Sequence, residues 1–143
     1  MDLATITLVV AAVGGLIMVT VRLTGRPRPP TWLAIGHGGI AAFGVGLLAG
    51  QWPVLPTLAR IALGVFCLAI LGGATLFLGF HLKNRPLPVA LMLAHGLTAL
   101  TGLTLLIVAL VGSSPPGTLP FGRPPALENP ATVPPLPVPP TQP

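Results

Sequence analysis

The sequence predicts an all-α, polytopic membrane protein: four transmembrane helices laid out as a tandem repeat of two helical hairpins, followed by a disordered, proline-rich tail. Three observations carry that expectation. Hydrophobic residues make up 52% of the chain and charged residues 6%, too few charges to solvate a globule in water. Four apolar segments, approximately residues 3–21, 32–50, 58–80 and 87–111, hold no charged residue in their interiors. Each is close to the ~20 residues a helix needs to cross ~30 Å of hydrocarbon. Finally, the hairpin that carries His37 returns 58 residues later as one that carries His95.

The first segment has Asp2 rather than a basic stretch before it and no small-residue cleavage site after it, so it is expected to persist as a helix rather than act as a secretion signal. Trp32 and Trp52 bracket the second segment, and the ~20 residues between them rise about 30 Å, which sets one indole at each membrane interface. The third contains Cys67, the only cysteine, which excludes an intrachain disulfide. Without a basic neighbour to favour its thiolate, Cys67 is expected to be a small buried apolar residue. Backbone groups in lipid must pair within their own element, and no segment shows the alternating polarity of a barrel strand, so all four are expected to be helices.

The repeat is ungapped. It superimposes Ala11 on Ala69, Gly14 and Gly15 on Gly72 and Gly73, and Pro30 on Pro88. It then places His37, Gly38, Ala41, Gly44, Leu47 and Leu48 on His95, Gly96, Ala99, Gly102, Leu105 and Leu106. Repeats of about 3–50 and 61–108 divide a transmembrane domain, 1–112, from the tail, 113–143.

Charge sets the orientation. The first loop carries Arg22, Arg26 and Arg28 and the third carries Lys83 and Arg85, whereas the second holds Arg60 and the tail Arg123. Basic loops stay on the cytoplasmic side, so both termini are expected outside. The usage of Ala, Gly, Pro and Leu points to a bacterial cytoplasmic (inner) membrane. The net charge of +5 implies no nucleic acid, because anionic headgroups account for the basic loops. In the tail, proline recurs from Pro115 to Pro143, which removes backbone donors and favours an extended, partly polyproline II chain suited to an outer-side partner.

Ionisable side chains within a bilayer are expensive and mark functional sites by default. His37 and His95 lie about six and eight residues inside helices that run in the same direction, some 9–12 Å deep. In an up-down bundle those helices are diagonal partners, so the two imidazoles can meet across the core. Each is followed by glycine and shares a face with Ala41 and Gly44, or Ala99 and Gly102. This arrangement resembles the way membrane b-type cytochromes hold haem through two axial histidines; the resemblance implies a haem b or related tetrapyrrole with His37 and His95 as axial ligands, and Arg28, Lys83 and Arg85 near its propionates. A packing role is the alternative, in which each histidine bonds a carbonyl or hydroxyl on a neighbouring helix, with Thr98, Thr101 and Thr104 as available partners. His81, at the end of the third segment, is expected at the solvated interface.

Gly38, Ala42, Gly46 and Gly50 form a small-residue stripe on the second helix where another backbone can approach closely, including one from another membrane subunit. No carboxylate pair, activated nucleophile or phosphate-cradling glycine loop is present, so no hydrolytic or phosphoryl-transfer enzyme is expected. Three functions fit: an accessory or assembly subunit of a membrane complex, a bis-histidine haem protein passing electrons in the membrane, and a small transporter or proton relay.

Overall fold

The computed structural model describes residues 2–112, and the proline-rich tail lies outside the described residues. Those residues form four α-helices and no strands: α1 (Leu3–Leu23), α2 (Thr31–Gly50), α3 (Thr57–Leu76) and α4 (Val89–Gly112). A short 3-10 turn, Trp52–Val54, joins α2 to α3, and a π turn, Phe77–His81, extends α3. Each of the four helices is long and apolar enough to cross a membrane, with α3 and its π turn together spanning 25 residues. Large side chains such as Leu16, Trp32, Leu71 and Val111 point outward, as the hydrocarbon of a bilayer would require of a multi-pass protein.

Local chemistry sets the helix ends. Asp2 caps α1 by accepting a 2.9 Å bond from the Thr5 amide. Prolines stand just before α2 and α3, at Pro30 and Pro56, where a missing amide costs nothing. Pro88 has the same role for α4, with its carbonyl accepting from Met92; the helix starts at Val89 and leaves Leu87 buried in the preceding loop.

The most extensive packing is within the hairpins, α1 with α2 and α3 with α4, and lesser contacts of α1 with α4 and α2 with α3 close the ring. The result is an up-down bundle with α2 and α4 on a diagonal. Its core is unevenly filled. At the end where α1 begins, Ala4, Leu8, Val45, Leu48, Ala59, Ala62, Leu63, Phe66, Leu106 and Ala109 form a continuous apolar cluster. Glycine lets the helices close there: a Cβ on Gly44 would lie 3.0 Å from Leu8 Cγ, and one on Gly102 would lie 3.1 Å from the Phe66 ring. At the other end burial is sparser, with a smaller cluster of Leu76, Leu87 and Met92 against which Val19 and Leu91 pack. Between Ala12 and Phe43 only Pro29 is buried, and between Ile70 and Thr101 only Leu76, His81, Leu87 and Met92 are.

Cys67 corrects the expectation of burial. It is exposed on α3, because the buried face of that helix runs through Ala59, Ala62, Phe66 and Ala69 and leaves Cys67 pointing away.

Two outcomes test this packing. Gly102→Leu should destabilise the bundle in detergent by about 1–3 kcal/mol, and Phe66→Ala in the same chain should recover part of the loss; additive destabilisation would contradict the contact. At the helix cap, hydrogen bonding from Thr5 holds the Asp2 carboxyl below its usual 3.8. A lowered folded value makes the cap whole at neutral pH and weakens it as pH falls below the unfolded value and through the folded one. Asp2→Ala should therefore cost about 1 kcal/mol at pH 7 and clearly less at pH 3 in thermal unfolding, whereas equal penalties would contradict the cap.

Candidate functional site: a histidine pair across the bundle

The two intramembrane histidines stand between the densely buried end of the bundle and the sparser one. Their rings approach each other with centroids 6.1 Å apart and planes at 85°. Since α2 and α4 are diagonal, this approach crosses the bundle interior rather than a hairpin contact.

Each ring is held by its own hairpin partner. His37 Nδ1 lies 2.9 Å from the Ala11 carbonyl of α1, and His95 Nδ1 lies 2.9 Å from the Ala69 carbonyl of α3. Both bonds span 26 residues of chain. A carbonyl oxygen only accepts, so Nδ1 is the donor in each ring, and a neutral imidazole then presents its lone pair on Nε2. Neither Nε2 has a hydrogen-bond partner among the described residues.

Glycine pairs make this possible. The rings lie against Gly14 and Gly15 on one side and Gly72 and Gly73 on the other, where a Cβ on Gly15 would be 3.1 Å from His37 Cε1 and one on Gly73 would be 3.0 Å from His95 Cε1. Without side chains at those positions each imidazole lies flat on the neighbouring backbone and reaches its carbonyl. The glycines were visible in the sequence as repeat markers, and their constant spacing from each histidine was the signal that they form its seat.

Compared with known proteins, the chain matches no family model, no curated protein and no solved structure. No group of three or more His, Cys, Asp or Glu residues that could hold a metal ion occurs among the described residues. The pair alone offers two nitrogen ligands, enough for a metal whose other positions are filled by its own macrocycle but not for a bare ion. Beside His37 an apolar groove of about 290 Å³ opens between α1 and α2, lined by Val10, Val13, Gly14, Ile17, Leu33 and Ile40 among others.

The threonines of α4 are not the partners of the histidines. Thr98, Thr101 and Thr104 each return their hydroxyl to the carbonyl four residues earlier in their own helix, a local bond always within reach. The small-residue stripe is also placed: Gly38, Ala42, Gly46 and Gly50 are all exposed, and no other side chain or helix comes within 4 Å of a Cβ built on any of the three glycines. Among the described residues the three glycines of the stripe meet no other side chain or helix.

His81 stands at the end of α3, as expected, but it is not solvated there. It is buried, stacked on Phe77 with ring centroids 5.4 Å apart, and its Nε2 lies 3.0 Å from Thr31 Oγ1. The first loop folds across it, with Arg28 Nη1 donating to the His81 carbonyl at 3.2 Å and also to Asn84 Oδ1.

Gly73→Leu should push the His95 ring away from Ala69 and lower stability by about 1–3 kcal/mol, visible as a shifted histidine ring resonance and an earlier unfolding transition in detergent. Gly46→Leu, at a position where no other described residue comes within 4 Å of a Cβ, should leave both unchanged. Equal effects from the two substitutions would contradict the seat.

Proposed function

We propose that the protein is a small multi-pass membrane subunit that holds a tetrapyrrole, haem b, between His37 and His95 and passes electrons within the bilayer. One observation carries this reading: the two rings approach each other across the bundle interior, with centroids 6.1 Å apart, and each has its Nδ1 tied to a main-chain carbonyl and its Nε2 without a partner among the described residues. Beside His37 the apolar groove between α1 and α2 offers a surface for a flat apolar cofactor.

His37 and His95 would hold the metal through Nε2, the nitrogen of each ring that has no partner among the described residues. The Nδ1 bonds to Ala11 and Ala69 supply the orientation and added basicity that outer hydrogen bonds give ligating imidazoles. When bound, haem would supply one-electron chemistry. The chain's own contribution is to hold two lone pairs in place, offer the apolar groove beside His37, and tune the potential through the carbonyl bonds.

The same contacts at an offset of 58 residues support duplication of one hairpin, with a pseudo-twofold axis along the bundle. The basic loops, with Arg22, Arg26, Arg28, Lys83 and Arg85, support a cytoplasmic placement of that end and both termini outside a bacterial inner membrane.

A second reading is favoured by the exposed stripe Gly38, Ala42, Gly46 and Gly50: an accessory or assembly subunit in which the histidines serve only as hairpin staples, each worth about 0.6 kcal/mol. Spectroscopy separates the two. Protein purified in mild detergent from its native membrane should show a Soret band and, on dithionite reduction, a sharp α band, and His37→Ala or His95→Ala should each abolish them while the protein still accumulates. A colourless, fully folded preparation would overturn the cofactor and leave the staple.

A further inference from the structure

The basic end of the bundle holds a second site, independent of the histidine pair. There the first loop, with its Pro27, Pro29 and Pro30, folds over the π turn and encloses an open cavity of about 360 Å³ lined also by Arg26, Arg28, Thr31, His81 and Asn84. The two loops are joined by backbone and side chain: Leu87 donates its amide to the Pro27 carbonyl at 3.3 Å and Arg22 Nε donates to the Leu87 carbonyl at 3.2 Å. Proline and these ties make the cavity a fixed feature of the fold.

Its charge is uncompensated. Arg22, Arg26, Arg28, Lys83 and Arg85 occupy this end, and neither loop contains a carboxylate. Asp2, the only acidic residue among those described, caps α1 at the opposite end. Arg28 is held in place through Nη1 by the His81 carbonyl and Asn84, so the rest of its guanidinium is oriented and without an acceptor among the described residues. Arg26 has no hydrogen-bond partner among them. At the same cavity α2 begins without a side-chain cap, and the Thr31 and Trp32 amides have no acceptor among the described residues.

One polar atom at the cavity is unsatisfied. His81 lines it and is 4% exposed, its Nε2 is engaged with Thr31, and its buried Nδ1 has no partner. Buried polar groups are nearly always satisfied, so an unfilled polar site stands here.

We infer that this cavity binds a phosphate group, carried by an anionic lipid headgroup or free in solution, through Arg26, Arg28, Thr31 and the first turn of α2. Guanidinium forks and free helix amides match phosphate oxygens, and the site lies at the end of the transmembrane helices, where headgroups are found.

The test uses the full chain in a non-ionic detergent, stripped of lipid, with phosphatidylglycerol, phosphatidylcholine and inorganic phosphate as separate probes, read by native mass spectrometry and thermal unfolding. Phosphatidylglycerol should bind and raise the unfolding midpoint, phosphatidylcholine should not, and Arg26→Gln should weaken binding on the order of tenfold, as for loss of one charge-assisted bond. Lys83→Gln removes a charge from the same end without touching the cavity and should change affinity far less. Stabilisation by inorganic phosphate alone, lost in Arg26→Gln, would support the site and assign it to free phosphate. Equal binding of the two lipids, no binding of any probe, or equal losses from Arg26→Gln and Lys83→Gln would overturn it.

Discussion

The hydrogen bond from a histidine Nδ1 to a main-chain carbonyl on the adjacent helix organises this bundle. In hydrocarbon there is no water to satisfy an imidazole, and a ring with one nitrogen tied to backbone has a fixed tautomer and a fixed direction. That bond needs the neighbouring helix to come within about 3 Å of the ring, and only a residue without a side chain permits it. The requirement explains the Gly14–Gly15 and Gly72–Gly73 pairs, the close packing of α1 on α2 and α3 on α4, and the inward aim of His37 and His95. With both rings so held, their meeting across the α2–α4 diagonal follows from bundle geometry.

From that level the two halves of the molecule diverge. Toward the start of α1, alanine and glycine alternate with leucine and phenylalanine, and the helices close on a dry core. Toward the basic loops a smaller cluster of Leu76, Leu87 and Met92, with Val19 and Leu91 against it, is joined by polar ties: Arg22 to Leu87, Arg28 to His81 and Asn84, and Leu87 to Pro27. Cohesion at this end combines that packing with hydrogen bonds between the loops.

Much of this was legible in the sequence. Composition and segment length gave four spans, and parity placed both histidines at one depth on parallel helices. The seat itself was half visible, since Gly14, Gly15, Gly72 and Gly73 stood at a constant distance from their histidines but were read as markers of repetition. The lack of a basic neighbour suggests a buried Cys67, but it says nothing of helix phase, and Ala59, Ala62, Phe66 and Ala69 trace the buried face that excludes it. His81 was beyond periodicity. The π turn at Phe77–His81 alters the register after Leu76, Asn84 takes a left-handed φ of 56° to end it, and a loop 53 residues away in sequence folds over the ring. None of those events leaves a pattern in local hydrophobicity.

The central claim, that His37 and His95 are Nδ1-tied rings facing each other inside the bundle, is most directly tested by solid-state NMR of histidine-labelled protein in lipid bilayers. Only three histidines are present, and single substitutions assign them. The account predicts two rings protonated at Nδ1, with Nε2 unprotonated or shifted by a metal, and a through-space contact between the rings that matches 6.1 Å between their centroids. Rings protonated at Nε2, or the absence of any contact between them, would contradict it.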